Sequence, residues 1–157
     1  MAQAKEIPEW TDALSVGVDI LDEDHQAFFR LPAVLQEILS CQDENQDVLI
    51  ETAINILEEY VAGHFLREEG ALAAANYPNL AEHIAIHDRF AARVSAIADR
   101  YRGGDKTEIG QLSELVTGWI FNHITTVDAD YRGYLTNENV DNRPLACLVE
   151  HLESEMD

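Results

Sequence analysis

A chain of 157 residues, 46% of them hydrophobic, has room for one domain with a usable core and is too apolar to stay disordered. Its 30 acidic residues against 10 basic ones give a formal net charge of −20, which repels phosphate backbones and anionic lipid heads and argues against nucleic-acid and membrane partners. The N-terminus carries no apolar run behind a basic head, no stretch approaches the roughly 18 apolar residues of a membrane span, and Cys41 and Cys147 form no paired framework, so a cytoplasmic protein is expected.

Glycine and proline are scarce, at 8 and 4, which favours long helices over a fold of many tight turns. The first residues, with Trp10, Val16 and Val18, read as an ordered arm with apolar anchors. Four helical patterns follow. The first starts near Asp22, a plausible N-cap, and sets His25, Phe28, Phe29, Leu35 and Leu39 on one stripe; Pro32 predicts a kink or a restart within it. The second runs from about Asp47 to Ala75, with Ile50, Ile54, Leu57, Val61, His64, Glu68 and Leu72 three or four apart, and Asn76-Tyr77-Pro78 ends it. The third starts near Asn79, carries Leu80, His83, Ile84, His87, Phe90, Val94 and Ile97 on one face, and stops at Gly103-Gly104. The fourth starts near Asp105 or Thr107 and turns Leu112, Val116, Trp119, Ile120, His123 and Val127 inward.

Short connections between these patterns favour antiparallel neighbours, hence an all-α, up-down-up-down four-helix bundle. Residues 1–134 form the bundle and its arm, and 135–157 an acidic extension. In that extension 135–142 reads as a loop, and Leu145, Leu148, Val149 and Leu152 as a short amphipathic helix, docked on the bundle as a cap or, as the alternative, binding a partner.

Five of the six histidines, His25, His64, His83, His87 and His123, fall on the inward stripes. A lone histidine on an apolar face is usually a hydrogen-bonded core residue. Five drawn from four helices would each cost about 1–3 kcal/mol if left without partners, so a shared ligand is the better account. His64 and Glu68 are four apart, as are His83 and His87, and each pair projects from one side of its helix. His123 and Asp128 are five apart, which on an ideal helix separates them by about 140°. That pair suits one centre only if Asp128 reaches across to bridge or the helix loosens locally. The remaining histidine, His151, reads as a surface residue.

Seven ligands are too many for tetrahedral zinc, and neither cysteine is near them. Mixed imidazole and carboxylate donors suit iron or manganese. Two six-coordinate ions require twelve positions. Five imidazoles, two bridging carboxylates and one oxide or hydroxide bridge fill eleven, which leaves one position open to a small ligand.

At this point the sequence resembles the hemerythrins, above all the single-domain bacterial ones. The resemblance spans about residues 10–131. It rests on Ser15-Val16-Gly17 with Asp24-His25-Gln26, on His64-Phe65-x-x-Glu68-Glu69, on Tyr77-Pro78 followed by His83-x-x-x-His87-x-x-Phe90, and on Trp119-x-x-x-His123-Ile124-x-x-x-Asp128. It implies two iron ions joined by an oxo or hydroxo bridge. His83, His87 and His123 would hold one iron, His25 and His64 the other, and Glu68 and Asp128 would bridge them. It implies reversible binding of O2 at the two-histidine iron, with nitric oxide and azide-like small anions as further ligands, and no catalytic residue. Phe28, Phe65, Trp119, Ile120 and Ile124, beside the ligand positions, are expected to line a dry O2 pocket, and ordinary bundle core is the alternative reading of each. Tyr131 either hydrogen-bonds near the site or packs. Pro32, Leu72 in a place where methionine is common, and the long tail depart from the family pattern without removing a ligand. Two other functions fit the same centre: a di-iron redox enzyme acting on peroxide or nitric oxide, and an oxygen-responsive signalling module.

Overall fold

The computed structural model describes residues 9–149. Four helices carry the chain: α1 (Asp19–Ser40), α2 (Gln46–Ala74), α3 (Leu80–Arg102) and α4 (Leu112–Thr126). Single 3-10 turns stand at Asp12–Leu14, Ile109–Gln111 and Asp128–Tyr131, and residues 145–149 are helical. Among the described residues there is no strand, and no helix is long and apolar enough to cross a membrane. His151 and Leu152, assigned above to the tail, lie outside the described residues.

α1 packs on α2 and α4, and α3 packs on the same two helices, so the four close into a square in which sequence neighbours are spatial neighbours. The links at 41–45 and 75–79 are too short to recross the bundle, which makes the helices alternate in direction. That alternation brings the start of α1, the end of α2, the start of α3 and the end of α4 to one level. His25, His64, Glu68, His83, His87 and His123 lie on those four segments. The other end of the bundle is apolar core, with Leu35, Ile54, Val94, Ala98, Leu112 and Val116 at most 2% exposed. Each of the leucine, isoleucine and valine side chains among them contributes about 1.5–3 kcal/mol by leaving water.

The helix ends are built locally. α2 stops in a Schellman motif: Tyr77 N–H reaches Leu72 C=O at 3.0 Å and Asn76 N–H reaches Ala73 C=O at 3.1 Å. Asn76 takes the left-handed conformation this needs, with φ 56°, and Pro78 prevents any continuation. The motif turns Tyr77 back onto the bundle, where its ring meets His83, Tyr131 and Tyr134. α3 ends in the same way at Gly104, whose φ of +100° favours glycine.

Two helix starts differ from the sequence reading, and the restart offered as one outcome at Pro32 does not occur. α1 begins at Asp19, three residues before the expected cap, because the Asp22 carboxylate instead accepts from Ser15 Oγ (2.5 Å) and Val16 N–H (3.0 Å) and pins the arm. The first-turn amide of Asp19 is capped from far along the chain, by Asn137 Oδ1 at 2.8 Å. α1 runs without a restart through Pro32, which is buried. α4 begins at Leu112 and not near Asp105 or Thr107, because the Asp105 carboxylate closes a local turn on the amide and hydroxyl of Thr107 (3.1 and 2.6 Å) and caps nothing further on.

The arm and the tail both pack on the bundle. Leu14, Val16 and Val18 are buried, as are Leu135, Val140 and Leu145. Leu145 lies over Gly63 of α2 so closely that a Cβ added there would stand 2.9 Å from Leu145 Cβ.

Candidate metal centre

All seven of the candidate ligands meet in one place, and each is at most 2% exposed. The i, i+4 pairs His64/Glu68 and His83/His87 point inward from α2 and α3, as their spacing requires. The awkward pair, His123 and Asp128, is resolved by the backbone. α4 ends at Thr126, Val127 N–H closes the last turn on His123 C=O at 2.9 Å, and Asp128 opens a 3-10 turn. Leaving the helix carries the Asp128 carboxylate back under His123, with 3.0 Å from His123 Nε2 to Oδ1.

The two carboxylates divide the histidines into two groups. Glu68 offers Oε2 to His25 and His64 (3.6 and 3.4 Å) and Oε1 to His83 and His87 (2.6 and 3.2 Å). Asp128 offers Oδ2 to His25 (3.3 Å) and Oδ1 to His83 and His123 (3.3 and 3.0 Å). Each of these five histidines faces this space with Nε2. Donors about 2.1 Å from a small cation sit about 3 Å apart when adjacent, which is the spacing found between these nitrogens and oxygens. The donor atoms sort into two sets that could each hold an ion, one from Glu68, His83, His87, His123 and Asp128 and one from His25, His64 and Glu68.

Hydrogen bonding tests whether cations fit. His64 Nδ1–H donates to Asp24 Oδ2 at 2.9 Å, and His87 Nδ1–H donates to Glu69 Oε2 at 2.8 Å. With the Nδ1 proton so placed, a neutral ring would turn its Nε2 lone pair to the centre, which is how ligating imidazoles are held. His87 Nε2 and His123 Nε2 face each other at 3.1 Å. Both ring nitrogens of His25, His64 Nε2 and both Asp128 oxygens are buried with no hydrogen-bond partner. Polar atoms orphaned in this way cost about 1–3 kcal/mol each, and two cations among them would remove most of that cost. The residues fit a pair of metal ions.

The electrostatics of the protein without metal agree. Burial pushes the Glu68 carboxyl upward, but the imidazoles of His25, His64, His83 and His87 clustered around it outweigh burial and hold the group well below the usual carboxylate range. Asp128 is likewise depressed, by His123 and His25 against burial and the Glu68 charge. Burial would depress His64, yet its bond to Asp24 and the nearby Glu68 carboxylate raise it to about 10, and Asp128 and Glu68 raise His83 to about 9 in the same way. His25 is raised as well, whereas burial wins at His123 and lowers it. In the metal-free protein, protons on histidines take the place of the cations that the two carboxylates call for.

The expected pocket residues fall into two positions. Phe28 lies edge-on to His64, with ring centroids 5.4 Å apart, on the two-histidine side. Phe65 stacks on His87 (3.8 Å, 6° between planes) and also flanks His64 at 5.9 Å. Trp119 stacks on His123 at 4.2 Å and on Phe90 at 3.9 Å, on the three-histidine side, and is half-buried. Ile120 and Ile124 are buried on the same stripe of α4. Tyr131 is fully buried and donates its hydroxyl to Glu68 Oε2 at 3.0 Å. Burial and the Glu68 charge raise its own pKa well above the ordinary value, so it remains a donor.

Sequence reasoning missed the second ring of contacts. Asp24 and Glu69 each sit next to a ligand in sequence and look like surface acids, but each holds a histidine. Arg67, also buried, donates Nε to Asp24 Oδ2 at 2.9 Å. A signal was present: Leu21, Asp24, His25 and Phe28 share one inward stripe, on which a solvated acid does not belong.

Comparison with known proteins matches this arrangement to a family. A family model described as the hemerythrin HHE cation binding domain matches residues 16–135. The chain is similar to a bacteriohemerythrin of Stenotrophomonas maltophilia, 30% identical over 122 residues that cover 78% of this chain and 77% of the relative. It is also similar to a myohemerythrin of Riftia pachyptila, 29% identical over 126 residues covering 80% and 92%. A crystal structure of wild-type hemerythrin superposes with a TM-score of 0.76 at 24% identity, over 83% of this chain and 98% of that one, which matches the four-helix bundle. With the motifs, the bundle and the family match in agreement, the chain belongs to the hemerythrin family.

Proposed function

We propose that this protein binds molecular oxygen reversibly at a non-haem di-iron centre, with His83, His87 and His123 on one iron, His25 and His64 on the other, and Glu68 and Asp128 bridging. The observation that carries the reading is the split of each carboxylate, one oxygen toward the two-histidine set and one toward the three-histidine set. With one oxide or hydroxide bridge, His83, His87, His123 and the two carboxylates would give one iron six ligands, and His25, His64 and the same carboxylates would give the other five. A pair of irons held this way supplies electrons and one open position to a small diatomic ligand.

The chain's own residues do the rest. Asp24 and Glu69 fix the tautomers of His64 and His87. Tyr131 holds Glu68 in its bridging orientation by donating to Oε2. Phe28 walls the two-histidine side with apolar surface, Phe65 lies between His64 and His87, and Trp119 with Phe90 covers the three-histidine side; the buried Ile120 and Ile124 would complete the dry lining. Exclusion of water there would keep protons from the open position, which favours release of a small ligand unchanged. Nitric oxide and azide-like anions would compete for the same position. A donor set with only two carboxylates also supports a carrier over a redox enzyme, since oxygen-activating di-iron bundles use four carboxylates and two histidines.

The test is metal analysis followed by stopped-flow mixing of the di-ferrous protein with O2. Two irons per chain and a long-lived coloured adduct that bleaches under vacuum are expected. Rapid oxidation with no adduct, and with turnover of peroxide or nitric oxide, would replace the carrier with an enzyme. His87→Ala should hold fewer than two irons per chain; full occupancy would refute the ligand assignment.

A further inference from the structure

The family model ends at residue 135, yet the chain beyond it reaches back to the metal centre. Asp24, held at 4% exposure, accepts from His64 Nδ1 and from Arg67 Nε on the same oxygen, Oδ2, both at 2.9 Å. The far end of the Arg67 guanidinium points the other way, and Nη1 donates to the backbone carbonyls of Asp141 and of Arg143, the latter at 2.8 Å. Those carbonyls are presented by a tight turn in which the Asp141 carboxylate accepts from the Arg143 amide at 3.0 Å and from the Arg143 guanidinium at 2.8 Å. Leu145, two residues beyond, seats this turn on Gly63, next to His64 in α2.

We infer that residues 141–149 act as a latch on the metal centre. Docking of the tail clamps Arg67, Arg67 orients Asp24, and Asp24 holds His64 with its Nε2 toward the ions. Arg67 and Asp24 are positioning residues, and the tail is the part that moves them. A guanidinium spans this gap because its fork serves a carboxylate on one side and two carbonyls on the other, which a lysine cannot do. The coupling works in both directions: whatever the docked tail adds to iron retention, bound iron returns as tighter docking of the tail. The inference rests on the reading that His64 ligates iron.

Three full-length variants and a truncation test it. Arg67→Met cuts the clamp, deletion of 141–157 removes both carbonyl acceptors, and Leu145→Ser undocks the turn while leaving Arg67 and every ligand in place. Asp24→Asn removes the acceptor itself. Release of iron from the di-ferrous protein to a chelator should speed up about 10-fold in the first three and about 10- to 100-fold in Asp24→Asn, the usual effect of losing a partner behind a ligand. Arg67→Met combined with the deletion should release iron no faster than Arg67→Met alone, because both act through one path; independent structural damage would multiply the two effects. Hydrogen exchange of the 141–149 amides should be about 10-fold slower in the iron-loaded than in the metal-free wild type. Release at the wild-type rate in the truncation and in Leu145→Ser overturns the latch, as does tail exchange that ignores iron. A wild-type chain that takes up no iron overturns the metal reading, and the latch with it.

Discussion

Tyr131→Phe isolates one hydrogen bond at the centre. The change removes the hydroxyl that donates to Glu68 Oε2 at 3.0 Å and leaves the ring packed against Tyr77 and His83. Tyr131 is fully buried and its acceptor is ionised, so the bond belongs to the charge-assisted class worth about 1.5–3 kcal/mol. Glu68 keeps its histidine neighbours, so no orphan charge adds to the loss. For a domain of this length that corresponds to a fall in Tm of about 3–12 °C. Tyr134→Phe is the control, since Tyr134 is 44% exposed and its substitution should change stability by less than about 0.5 kcal/mol. Urea unfolding of the metal-free protein, followed by circular dichroism, reads both differences. If Tyr131→Phe matched the control, the bond would contribute nothing and Tyr131 would be a packing residue only.

The same substitution at two helical glycines should give opposite signs. Nothing lies within 4 Å of a Cβ added at exposed Gly70, so Gly70→Ala should stabilise α2 by about 0.5–1 kcal/mol, whereas Gly63→Ala meets Leu145 Cβ at 2.9 Å and should destabilise by about 1–3 kcal/mol relative to it. Thermal melts of the two variants decide it, and equal shifts would mean that the tail is not seated on Gly63. The metal-free protein should also have a narrow pH optimum. Glu68 and Asp128 are depressed in the fold, so their contribution is complete above the ordinary carboxylate pKa near 4 and is lost as pH falls through their lower folded values. His64 and His83 are raised to about 10 and about 9, so theirs is complete below about 6.5 and declines as pH rises through those values. Unfolding free energies across pH 3–10 should therefore peak between about 4.5 and 6.5, and iron loading should abolish the alkaline decline because metal binding requires neutral imidazoles. A flat profile above pH 6.5 would show that the histidines are not protonated as the geometry requires.

The length of α2, its stop at Asn76-Tyr77-Pro78 and the inward stripes of all four helices were legible because helical periodicity and end signals are local. The i, i+4 ligand pairs were legible for the same reason. His123 and Asp128 were legible only as a conflict, since a spacing of five on an ideal helix separates two ligands, and it took the break after Thr126 to bring them together. The start of α4 was misread because Asp105 has the chemistry of a helix cap and uses it on Thr107. Glu69 and Arg67 were invisible as partners because each looks like surface charge until another helix or the tail covers it, whereas Asp24 was marked by its place on the inward stripe of α1.

Residue type and period along a single chain were thus enough to define four amphipathic helices, their order and the side chains able to hold metal, because each of those properties is settled within a few turns of backbone. Which oxygen of Glu68 meets which histidine, and whether Arg67 reaches the turn at 141–143, depends on how separate segments approach one another. Contacts between residues forty or more positions apart are set by packing of the whole bundle, and no local pattern in the chain encodes them.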